Sequence, residues 1–224
     1  MQVKIRRIFS KLNNHYGLQK WWPARSSFEV MVGAILTQNT AWTNVEKAIQ
    51  ALRKHSVLSP YKICLLPHND LAALVRPSGY FNQKAKRLKI LSDWFISRGG
   101  LRGLKKIETL QLRSELLLLH GIGPETADDM LLYALERPVF VIDAYTRRLF
   151  SRCGLIVGDE GYDFLRLSVE QSLKSNIHDM KEFHALIVTH AKEHCQKKPV
   201  CKACALIGVC NFYKQKKKEA QIEF

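Results

Sequence analysis

Apolar positions recur with a helical period along most of this chain. Residues 28–36 (FEVMVGAIL) form an apolar run that continues through Trp42, Val45, Ala48, Ile49 and Leu52, which predicts two helices joined near residues 37–43. Residues 70–75 read as a short helix closed by Pro77. Residues 82–97 place Ala85, Leu88, Leu91, Trp94 and Phe95 on one face and stop at Gly99 and Gly100. Helices are also predicted over 107–119 and 125–135, separated by the turn HGIGP, and over 144–153, about 162–175 and 180–193. Val3, Ile5, Ile8, Phe9 and Leu12 mark a first helix. The run VFVI after Pro138 has the composition of a strand but no visible partner, so it is read as a buried connection into the helix that follows. The charge run KQKKKE near the end reads as solvated or frayed. The expected fold class is all-α. One helical domain spans 28–137 and ends in a helix–turn–helix unit at about 107–136; a second combines 1–27 with 138–224.

Composition narrows the class of protein. With 46% hydrophobic residues in 224, the chain buries a sizeable core. No apolar run approaches the roughly 20 residues that span a bilayer. The N-terminus is basic and lacks the continuous apolar stretch of a secretory signal. Its Arg and Ser content suits a transit peptide, but its length and apolar spacing suit a helix better. An intracellular, cytoplasmic, monomeric protein without a membrane partner is expected. The net charge of +15, from 35 Lys+Arg against 20 Asp+Glu, points to an acidic partner, and nucleic acid is the first candidate.

Two features carry chemistry. In LLLLHGIGPETADDMLLYAL, Gly121-Ile122-Gly123 allows a tight turn and Pro124 suits the first position of the next helix. Amides of such a turn and helix start are ready for an anion, and DNA phosphate fits a protein of this charge. A bare glycine C-cap between two helices is the plainer reading. Separately, Cys195, Cys201, Cys204 and Cys210 fall within sixteen residues, a crowding that reads as metal or cluster binding in a chain without a secretory signal. Zinc sites usually pair two short knuckles, whereas a single CxxC flanked by lone cysteines suits a [4Fe–4S] cube; zinc stays the rival. Cys64 and Cys153 sit in apolar neighbourhoods and read as buried small hydrophobes.

The hairpin and the segment Val141-Ile142-Asp143-Ala144-Tyr145-Thr146-Arg147-Arg148 resemble the helix-hairpin-helix and the V-[ID]-D-x-x-x-x-R pattern of the endonuclease III DNA glycosylase superfamily, from about Phe28 to Cys210. The resemblance implies two helical domains flanking a DNA-binding cleft, with hairpin contacts from Gly121, Ile122, Gly123 and Thr126 and a [4Fe–4S] loop over 195–210. It makes Asp143 the catalytic carboxylate, stabilising the oxocarbenium-like sugar and activating water. On its residues alone, Asp143 is a helix N-cap. Family members that also nick DNA carry a lysine two positions after the second hairpin glycine. Here that position is Glu125, which forms no Schiff base, so the resemblance implies a monofunctional glycosylase. Glu125 also suits the helix dipole or a place in the base pocket.

The elements WWP, F-E-x-x-x-G-A-I-L-T-Q-N-T and V-R-P-S-G-Y-F-N-Q-K-A-K-R-L are similar to the 3-methyladenine glycosylase branch of that superfamily. The similarity implies a pocket for an alkylated purine built from Trp21, Trp22, Pro23 and Trp42, whose indole faces attract a cationic base. It makes Gln38 the wedge that fills the gap left by the extruded nucleotide, with Tyr80 inserting opposite. The plainer roles are a cap amide for Gln38 and core packing for Tyr80. The cysteine spacing, C-x5-C-x2-C-x5-C, is one residue shorter in its first interval than the superfamily's usual C-x6-C. The expected partner is double-stranded DNA with damaged bases. The alternatives are a mismatch or oxidised-pyrimidine glycosylase of the same fold, and a non-catalytic DNA-binding protein.

Overall fold

The computed structural model describes the backbone of residues 1–222 and the side chains of residues 1–219. It is helical throughout, with no strand among the described residues. No helix among them is long and apolar enough to cross a membrane. The chain divides into two units, one of Trp22–Arg137 and one of Met1–Trp21 with Pro138–Phe224.

The first unit is built round α2 (Ser27–Leu36), whose residues from Phe28 onward are all buried. A continuous apolar run makes such a helix central rather than amphipathic. Ser26 caps it by accepting from the Glu29 amide at 3.2 Å, and buried Glu29 pairs with Arg53 of α3 (Trp42–Lys54). α6 (Phe81–Ser97) buries Ala85, Leu88, Leu91, Trp94 and Phe95 and packs on α4 (Pro60–Leu65) and α5 (His68–Val75). Left-handed Gly99 ends it before the short α7 (Gly100–Leu104). α4 and α7 were not read from the sequence, being too short to show a period. The hairpin joins α8 (Thr109–Leu118) to α9 (Pro124–Asp129). Beyond α9 the expected regular helix gives way to a π-helical segment, Met130–Ala134, packed on α2.

In the second unit α1 (Gln2–Tyr16) turns Ile5, Ile8 and Leu12 inward against α11 (Tyr162–Ser172) and α12 (Ile177–Glu193). The core centres on Phe183, whose ring lies 5.4 Å from Phe9 and 5.7 Å from Phe140. The run Val139–Ile142 is buried and in neither helix nor strand, the buried connection expected. Side chains take the place of a ladder. The Phe140 amide donates to Glu170 at 2.9 Å, and the Ile142 amide donates to the Tyr162 hydroxyl at 3.3 Å. This fixed segment leads into α10 (Ala144–Arg152). The terminal charge run lies in α13 (Asn211–Ile222), where residues 214–219 are exposed, so it is solvated as expected but helical rather than frayed.

Candidate functional site

The hairpin turn follows from its glycines. Gly121 has φ +84°, and a Cβ there would lie 2.1 Å from Arg87 Nε. Gly123 is extended, and a Cβ on it would meet nothing within 4 Å. The Ile122 amide returns to Leu119 O at 3.0 Å, and Pro124 brings no N–H to the first turn of α9. Glu125 is exposed in that turn and Thr126 is buried.

Gln38 is tied to the hairpin rather than to a helix end. Its Nε2 donates to Gly121 O at 3.1 Å and to Thr126 Oγ1 at 2.9 Å, and its Oε1 accepts from Arg87. Tyr80 is 67% exposed and left-handed at φ +45°, so core packing is not its role. Asn39, beside Gln38, is also left-handed. An aromatic in that region stores strain of about 1–3 kcal/mol. Sequence reasoning missed the residue common to both loops. Lys84, 1% exposed, donates through Nζ to Leu36 O at 2.8 Å and to Ser78 O at 2.6 Å. Burial, with Arg87 nearby, lowers its pKa to about 8.

The WWP segment straddles the division between units. Trp22 packs edge-on against Trp42 at 5.2 Å and against Tyr133 of the π segment at 5.4 Å. Gly33 makes this fit: a Cβ there would sit 3.1 Å from the Trp22 ring. Trp42 Nε1 donates to Glu46 at 2.9 Å. Gly33 is the glycine of the F-E-x-x-x-G-A-I-L-T-Q-N-T element, whereas Tyr133 carried no sequence signal beyond core membership.

Trp21 belongs to the other unit, with Asp143. Both oxygens of Glu182 accept backbone amides just ahead of it, from Gln19 at 2.6 Å and Lys20 at 3.1 Å. Asp143 is the N-cap of α10, its Oδ1 accepting from the Thr146 amide at 2.6 Å. Its Oδ2 lies 3.6 Å from His184 Nε2. Burial works to raise its pKa, but His184 and Thr146 outweigh that and hold the carboxyl below its ordinary value. The capping role is therefore present, and the group is also a buried, oriented anion 8% exposed to solvent.

The four clustered cysteines, none in a disulfide, face one cavity walled by Leu149, Val200, Leu206 and Phe212. Arg152 donates to Cys195 Sγ at 3.2 Å. Tyr16 Oη lies 3.0 Å from His190 Nδ1, and His190 Nε2 lies 3.5 Å from Cys204 Sγ. Cys153 is buried as expected but not isolated, because it faces the same cavity and its thiol interacts with Cys210. That interaction, with burial, raises Cys153, while Cys210 is lowered chiefly by the same contact. Cys64 is half-buried. Four cysteine thiols lining one cavity are the donor set that a four-iron cube takes, and also one that zinc takes.

A family model described as the HhH-GPD superfamily base excision DNA repair protein matches residues 32–175. The "Putative DNA repair glycosylase MJ1434" of Methanocaldococcus jannaschii is 46% identical over 209 residues, covering 92% of this chain and 95% of that one. Endonuclease III of Thermotoga maritima is 28% identical, covering 85% of each. Among solved structures, the 3-methyladenine DNA glycosylase MagIII of H. pylori, bound to 1,N6-ethenoadenine, superposes with a TM-score of 0.76 at 30% identity, covering 84% of this chain and 97% of that one. An endonuclease III–DNA complex shares the fold, with a TM-score of 0.81 at 20% identity over 97% of this chain and 99% of that one. With its family model spanning the glycine hairpin and the Asp143 cap alike, this chain belongs to the HhH-GPD superfamily of base excision DNA repair glycosylases.

Proposed function

We propose that this protein is a monofunctional DNA glycosylase that removes an alkylated purine from duplex DNA and leaves the strand intact. The observation that carries the reading is Glu125, an exposed carboxylate where strand-nicking relatives place an amine. Without that amine no Schiff base forms on the sugar, and water is the nucleophile. The hairpin amides and Gly123 hold a phosphate, with Gly121, Ile122 and Thr126 shaping the turn. Gln38 and Tyr80 fill the space of the extruded nucleotide. Trp21, Trp22, Pro23 and Trp42 enclose the base. Support for an alkylated purine comes from the 30% identity to MagIII, a 3-methyladenine glycosylase, and from indole faces that attract a cationic ring.

In the reaction the bond between C1′ and the base nitrogen breaks, and its electron pair leaves with the base. Asp143, with Oδ1 engaged by the Thr146 amide, keeps a negative charge that steadies the sugar cation. Water adds to C1′ and gives up its proton by way of Oδ2. Cys195, Cys201, Cys204 and Cys210 hold a [4Fe–4S] cluster. The cluster supplies rigidity to a loop whose exposed Lys197, Lys198 and Lys202 meet phosphate.

Duplexes bearing methylated, oxidised, deaminated or mismatched bases, treated with hot alkali after incubation, test this reading. Release of 3-methyladenine with strand breaks only after alkali is the expected result. Breaks without alkali overturn the role of Glu125, and release of a mismatched or oxidised base alone overturns the alkyl-purine substrate. Binding with no release of any base leaves the non-catalytic reading.

A further inference from the structure

α12 buries an unusual residue in the middle of its apolar face. His184 is 3% exposed, between Phe183 and the run Ala185–Val188, where a neutral apolar side chain would pack more cheaply. Three neighbours fix its ring. Trp21 stacks on it with centroids 5.8 Å apart and planes 20° from parallel, and Phe140 meets it edge-on at 6.1 Å. Nε2 lies 3.6 Å from Asp143 Oδ2, within ion-pair distance when the imidazole is protonated and just beyond hydrogen-bond length.

The cap at Thr146 secures only one carboxylate oxygen. A carboxylate held by Oδ1 alone still swings Oδ2 about that contact, and terminal torsions of this kind are broad. A second donor on the far oxygen fixes the plane. We propose that His184 is the positioning residue for Asp143: its Nε2 aims Oδ2 at the sugar, and Trp21 braces the imidazole for that purpose. Trp21 thereby acts on the carboxylate through His184, in addition to any contact it makes with the base. This inference rests on Asp143 being the catalytic carboxylate.

Substituting the histidine with the two amides separates aim from packing. His184→Gln carries an N–H near the place of Nε2, whereas His184→Asn carries one near Nδ1, away from Asp143. Single-turnover release of the base and affinity for damaged duplex are measured on each. Asn is expected to slow release about 10²-fold, the cost of misplacing a reacting group by about 1 Å. Its duplex affinity stays unchanged, and Gln recovers most of the rate. Equal rates for Asn and wild type, or a Gln variant as slow as Asn, overturn the proposal.

A double-mutant cycle of His184→Asn and Asp143→Asn, read by urea unfolding, needs no substrate. Non-additive effects support the contact, and additive effects overturn it. Should wild type release no base from any duplex, or Asp143→Asn turn over normally, the glycosylase assignment of Asp143 falls and the cycle alone decides the contact.

Discussion

On the proposed function, one side chain, Asp143, meets two demands. As a cap it needs only an acceptor for the Thr146 amide, which asparagine also supplies. As a stabiliser of a sugar cation it needs charge. Asp143→Asn is therefore expected to abolish turnover while keeping the fold and damaged-duplex binding, measured by single-turnover assay and by titration. The lowered pKa has a further consequence. A carboxyl with a depressed folded pKa adds stability that is fully present above its unfolded pKa and is lost as pH falls through the folded one. Urea midpoints of wild type and the asparagine variant should thus converge below pH 3.8, the carboxyl's unperturbed value. Glu125 permits the reverse experiment. Glu125→Lys places an amine where strand-nicking relatives have one, and borohydride should trap it covalently on abasic duplex. Wild type should give no adduct.

At the scale of elements, two joints hold the loops that carry Gln38 and Tyr80. Lys84 donates to carbonyls on both, and an aliphatic replacement leaves those oxygens buried without a donor. Lys84→Met should cost about 1–3 kcal/mol for each carbonyl, read from urea unfolding. The second joint is the hairpin. An alanine at Gly121 meets both a left-handed backbone and the Arg87 side chain, and Arg87 is what holds Gln38 Oε1. On the proposed roles of the hairpin in gripping phosphate and of Gln38 as the wedge, Gly121→Ala should therefore weaken binding to damaged and undamaged duplexes alike, because both depend on that joint.

For the whole molecule, the net charge of +15 makes duplex affinity fall steeply with salt. The cysteine site adds a test of its own. Purified protein should be brown, with broad absorption near the visible–ultraviolet boundary, and Cys204→Ala should bleach it. Colourless protein with stoichiometric zinc overturns the cluster. Charge and cysteine spacing are properties of composition, so both were legible before any coordinates.

What the sequence determined by itself was local. Apolar period gave the long helices, the glycine pair gave the hairpin, and the stretch from hairpin to Asp143 carried the family pattern. Short helices such as α4 and α7 span too few turns to show a period, and the π segment has the composition of an ordinary helix. Only tertiary structure decided which distant side chains meet. The sequence assigned no role to Lys84 or His184, and Cys153 read as a lone buried thiol. Each owes its role to a partner far along the chain, Leu36 for Lys84, Asp143 for His184 and Cys210 for Cys153, and such pairings leave no trace in local spacing. Their physical cause is burial: a polar group removed from water must find its partner inside the fold, wherever along the chain that partner lies.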